Sequence, residues 1–128
     1  DQIVHLMNGD EVWFSELQGS EPSQPLAPAS LDDRKIIRAH WDSVEQSMRA
    51  YLAELRDDLL FATPIKEPEE DKDLIVWQVL LHVVNHGTDH RAQLLRALND
   101  LGVKTTSQDY IFYVYDHPIQ PNKGGIDE

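Results

Sequence analysis

Three histidines stand four residues apart in the segment LLHVVNHGTDHRAQLLRALNDLG: His82, His86 and His90. Neutral imidazole is a common ligand for divalent transition metals, at nitrogen–metal distances of about 2.0–2.1 Å. On a helix, a spacing of four residues puts two rings on one face, about 6 Å apart in rise, where they can converge on one ion. The outer pair lies about 12 Å apart along the axis and cannot share an ion. At most one adjacent pair serves a given ion, and His86 belongs to either.

The helical wheel separates the two pairs. Val76, Val79, Val83, Leu94, Leu98 and Leu101 fill an arc of about 100°. His90 falls inside that arc and His86 just outside its edge. His82 lies about 40° further out, on the polar side. The inward pair is therefore His86 with His90. Burying two imidazoles in an apolar seam costs free energy unless each is hydrogen-bonded or ligated. The HxxxH spacing lacks the glutamate of the HExxH metalloprotease motif. Gly87, Thr88 and Asp89 stand between the pair, and Asp89 points away from it.

An ion needs a third protein ligand. The chain has no cysteine, so that ligand is a histidine, a carboxylate or water. The histidine candidates are His5, His40 and His117. On wheel position His40 looks better than His5, because it borders the apolar seam Ile37–Val44–Tyr51 while His5 lies off the main apolar arc, near Gly9 and Val12. His117 falls in a segment with little to hold it rigid.

Long helices must position these side chains. Residues 1–18 carry Ile3, Leu6, Met7, Phe14 and Leu17 at helical spacing, ended by Gly19 and the prolines at 22, 25 and 28. Ser30 is expected to open a second helix, with Asp32 and Asp33 in its first turn, running to near Phe61. The third is expected over about Leu74 to Leu101, with Gly102 as its stop. DYIFYVYDHP has the aromatics of a strand, but Asp109 as a cap favours a short helix. The tail IQPNKGGIDE is expected to be mobile. This pattern predicts an all-α helix bundle in a single domain over residues 1–128. Three long helices leave a bundle one short of four. The first is in progress at residue 1 without a cap, so the domain reads as N-terminally incomplete, or a partner subunit supplies the fourth helix. A homodimer follows from the apolar surface that three helices would otherwise expose.

Composition narrows the partners. Eleven Lys and Arg oppose 23 Asp and Glu, a net charge of −12. The average field repels polyanions, so nucleic acid is not expected as a partner. No apolar run is long enough to cross a membrane. With no cysteine and no visible signal peptide, a cytoplasmic protein is expected.

VVNHGTDHRAQLLRALNDLG followed by DYIFY resembles the C-terminal signature of the DinB/YfiT-like family, whose members are up-down four-helix bundles that bind a divalent metal through three histidines. Asn85, His86, Gly87, His90 and Arg91 match the family's NH-G-x-x-H-R context as they stand. His5, Asp10, Glu11 and Trp13 fit its earlier pattern of a histidine, an acid and an aromatic two turns later. The resemblance covers residue 1 to about Tyr115 and identifies the missing element as the family's first helix. It reverses the wheel's preference and implies His5, with His86 and His90, as the metal ligands. Asp89 stands where the family commonly has Tyr or His, and Ala92 where Gly is frequent. Arg91 and Asn85 read as structural.

The resemblance also implies chemistry. Three imidazoles leave a coordination position open, as catalytic sites do. Relatives with an assigned activity include thiol S-transferases and a thiol-dependent isomerase. The expected function is a metal-dependent enzyme, using zinc, nickel or iron, that transfers a low-molecular-weight thiol or hydrolyses a small substrate. The alternative is a non-catalytic binding module acting through dimerisation or sensing. No general base stands out, since Asp10 and Glu11 are only loosely placed by the sequence.

Overall fold

A computed structural model describes residues 2–119. Among them every regular element is helical: α1 (Gln2–Gln18), α2 (Arg34–Glu54), α3 (Val76–Asp100) and α4 (Tyr110–Asp116), with three short 3₁₀ turns between them. The chain divides into two compact units, residues 1–94 and 95–128. The expected mobile tail lies outside the described residues from position 120 onward.

In the first unit, α1 is the central element and carries two working faces. One faces α3, and its contacts pair residues whose numbers sum to about 95. Gln2 donates to Gln93 at 3.0 Å, His5 meets His86 and His90, and Trp13 meets His82 with ring centroids 4.8 Å apart. A constant sum means that the two helices run antiparallel in register. The other face of α1 meets α2. Val4 and Met7 cluster with Val44, and further along Phe14 lies edge-on to Tyr51 at 5.5 Å. Numbers rise together here, so α2 runs parallel to α1 and antiparallel to α3.

A parallel neighbour needs a connection that travels the length of the helix. Residues 19–33 supply it, and about 15 extended residues span far more than the roughly 30 Å of α2. This connection is mostly exposed but is anchored at two leucines. Leu26 and Leu31 lie against the Val4–Met7–Val44 cluster. A second cluster closes the other end of the unit, where Leu17, Ile65, Val76 and Val79 are buried together.

The second helix starts later and ends earlier than its sequence pattern suggests. Ser30 closes a 3₁₀ turn (Pro28–Ser30), and Asp33 is the N-cap, its carboxylate accepting from the backbone N–H of Lys35 and Ile36. An aspartate cap satisfies donors that Ser30 is too far upstream to reach. At the other end Leu55 turns extended, and Asp57–Phe61 form a separate 3₁₀ turn. The Arg56–Asp58 ion pair forms across that break, and Phe61 is exposed.

In the second unit, α3 ends at Gly102, whose φ of +78° is open to glycine at little cost. Val103 N–H then donates to the Leu98 carbonyl, the longer bond of a Schellman ending. DYIFYVYD forms the short helix α4. Asp109 sits at its N-cap position without a side-chain capping bond. Five of its large apolar and aromatic side chains, from Tyr110 to Tyr113 and Tyr115, are exposed.

Candidate metal centre

The site grows from the antiparallel register of α1 on α3. Gln2, His5, Gly9 and Trp13 form one stripe along α1 at spacings of 3, 4 and 4. His82, His86 and His90 form the facing stripe on α3. Where the stripes meet, a bulky residue on α1 would hold the helices apart. Gly9 sits there instead: a Cβ at this position would stand 3.0 Å from Cε1 of His86.

That close approach brings His5 to the pair. Its ring centroid lies 5.3 Å from that of His86 and 4.6 Å from that of His90, and His86 and His90 are 4.4 Å apart. One ring nitrogen from each of the three lies within 4.8 Å of the others. His5 is exposed, whereas His86 and His90 are half-buried, so the cluster opens to solvent on the His5 side. His82 lies outside the trio, its ring 5.7 Å from that of His86 and edge-on to Trp13.

Two observations concern what the trio can hold. Nδ1 of His90 is buried and has no hydrogen-bond partner among the described residues. A buried polar nitrogen left so costs about 1–3 kcal/mol. The second is charge state. Burial pushes the pKa of His86 down, and the neighbouring His90, His5 and His82 push it the same way against a smaller pull from Asp89. A depressed pKa keeps the ring neutral, the form in which imidazole ligates a metal. The donor set therefore fits a divalent transition ion.

His40, the wheel's candidate, lies elsewhere. Its Nε2 is 2.9 Å from Oε2 of Glu11, on the side of α1 that faces α2. Glu11 also accepts from the backbone N–H of Ser23 at 2.9 Å and from its hydroxyl. His117 makes its contacts in the second unit, stacked on Tyr113 with centroids 4.3 Å apart. Wheel position does not place His5 beside the pair because it ranks residues against one apolar arc, while α1 packs through two faces.

Residues 1–123 match the family model described as the DinB family. The chain belongs to the DinB family. Neither a curated protein nor a solved structure matches it. Helical structure throughout the described residues agrees with a DinB-type bundle.

This DinB chain also places two groups whose roles the sequence left vague. Burial pushes the carboxyl of Asp10 up to about 6, with the Arg91 guanidinium pulling the other way. Arg91 in turn lies across Gly87, where a Cβ would stand 2.7 Å from Nη1, and its Nη2 lies 3.4 Å from the Thr88 hydroxyl. A side chain at residue 87 would displace the end of the arginine. Asp89 accepts from Gln93 at 3.4 Å, on the outer surface of α3.

Proposed function

We propose that this DinB-family protein binds one divalent metal ion, zinc, nickel or iron, through His5, His86 and His90. We further propose that it uses the open side of that site to activate a low-molecular-weight thiol or a small hydrolysable substrate. The observation that carries the reading is the convergence of three imidazoles, one ring nitrogen of each within 4.8 Å of the others. Such a centre supplies a Lewis-acid position that takes up a thiolate or lowers the pKa of water.

The chain's own residues have definite tasks in this reading. His86 stays neutral because it is partly buried among other histidines. The exposure of His5 leaves the approach free for a small molecule. Asp10, titrating near 6, is a carboxyl of α1 that can change protonation close to neutral pH. Because the protein has no cysteine, a thiol in the reaction comes from the substrate.

The test is conjugation of a low-molecular-weight thiol to a chromogenic electrophile, with stoichiometric metal and after chelation. Metal-dependent product that disappears in His86→Ala supports the transfer reading. Product formation unaffected by chelator and by His86→Ala would refute it.

A second copy of the chain is proposed as partner. Trp77, Leu81 and Val84 are 40%, 50% and 61% exposed and follow one another at spacings of 4 and 3. That is an apolar stripe of the kind helices use to pair. No helix among the described residues is long and apolar enough to cross a membrane.

A further inference from the structure

A second concave site lies on the opposite face of α1 from the histidine trio. It is a cavity of about 310 Å³ between α1, α2 and the 19–33 connection. That volume is at the small end of the range for small-molecule sites, about 300–1,000 Å³. Its apolar wall is Phe14, Val44 and Met48.

The polar part of the lining falls into two groups. Glu11 and Ser23 are used structurally, because Ser23 donates to Glu11 twice and His40 shares the same carboxylate. Glu21, Ser43 and Ser47 also line the cavity, and their side chains make no hydrogen bond or ion pair among the described residues. Ser43 and Ser47 are one turn apart and belong to the face of α2 that His40 shares. A few free polar groups over an apolar wall is the usual composition of a ligand pocket.

Charge selects the ligand class. Of the two carboxylates that line the cavity, Glu11 is paired with His40 and Glu21 is unpaired among the described residues, and no lysine or arginine lines it. The net charge of −12 adds a field of the same sign. Glu11 binds His40 through Nε2, which orients the ring and leaves Nδ1 with no hydrogen-bond partner among the described residues. Acceptors and hydroxyls around a negative, partly apolar hollow suit a short alkyl chain ending in an ammonium group.

We propose that this cavity is a second ligand site, independent of the histidine trio, that takes a small primary alkylammonium. The alkyl chain lies on Phe14, Val44 and Met48. The ammonium donates to Glu21 and the Ser43 and Ser47 hydroxyls.

The experiment is calorimetric titration of the whole chain with n-butylammonium, alongside n-butanol and butyrate. One saturable site is expected for n-butylammonium, with weaker binding of n-butanol and none of butyrate. Glu21→Gln should weaken n-butylammonium about threefold, as loss of a partly exposed ion pair does. Ser47→Trp should fill the hollow and weaken it more than about tenfold. The double variant His86→Ala, His90→Ala should bind it like the parent. Absence of a saturable site in the parent would overturn the proposal. So would equal binding of butyrate, or unchanged affinity in Ser47→Trp. If Ser47→Trp is unfolded by circular dichroism, the surface variant Glu21→Gln decides, and unchanged affinity there overturns the proposal.

Discussion

Gly9 of α1 lies directly against the imidazole of His86 on α3, so close that a methyl group at residue 9 would stand 3.0 Å from Cε1 and 3.4 Å from Nδ1. The absence of one side chain lets the helices approach and lets His5, one turn earlier on the same stripe, reach the pair. A packing feature and a candidate ligand set are thus the same feature.

Gly9→Ala separates two opposed effects. In a helix interior the change should stabilise by about 0.5–1 kcal/mol. Here it must also move the His86 ring by a few tenths of an ångström. We expect the helix gain to be cancelled and metal affinity to fall about tenfold, the lower end of what disturbing a ligand's orientation costs. Chelator competition and thermal melts of the same samples check both. A more stable protein with parental affinity would show that the contact does not set the ring.

Asp10 should make stability depend on pH with a definite sign. Its folded pKa, about 6, lies above the unfolded value of 3.8, so the folded state holds the proton more tightly. The cost of ionising it is absent below about pH 4, grows as pH rises towards 6, and is complete above that. Asp10→Asn should therefore gain stability relative to the parent at pH 8, by about 1 kcal/mol after allowing for solvent screening, and gain nothing at pH 4. Urea melts at the two pH values measure it. A gain of equal size at both would mean that the carboxyl's charge is not the cause.

Glu11 behaves in the opposite sense. Burial works against its charge, but the hydrogen bonds from Ser23 and His40 outweigh that and hold its pKa below the usual 4.5. Its contribution is present above pH 4.5 and is lost as pH falls through the lower folded value. Glu11→Ala leaves Ser23 and His40 without their acceptor and should cost about 1–3 kcal/mol at pH 7. Metal content should be unchanged, since His40 is not in the trio. Loss of metal in Glu11→Ala that exceeds the loss of folded protein would contradict that separation.

How much of this was legible in the sequence follows from geometry. The inward pair His86 and His90 could be read from one helix, because a single apolar arc fixes which side of α3 is buried. His5 could not be, since α1 carries one face for α2 and another for α3. The family resemblance pointed to it, and Gly9, four residues on, was a local signal that a neighbour comes close. The helical class followed from periodicity. The start of α2 did not, because Ser30 and Asp33 are both good caps and tertiary packing of Leu31 decides between them. The Glu11–His40 tie was illegible, since it joins residues 29 positions apart across a parallel helix pair.

The exposed stripe of α3 bears on assembly. Leu81→Lys should shift the protein toward monomer in light scattering while leaving its melting temperature within about 1 °C at low concentration, as a surface change does. A parent that is already monomeric at about 100 µM, a concentration at which even weak dimers associate, would remove the second copy from the account.

The most direct test compares His5→Ala with His40→Ala in a metal-binding titration of apo protein, with ions counted by elemental analysis. One ion is expected per parent chain and one in His40→Ala. In His5→Ala affinity should be lower by at least about tenfold, because a three-histidine centre would be left with two ligands. Parental binding in His5→Ala, together with loss in His40→Ala, would contradict this ligand set.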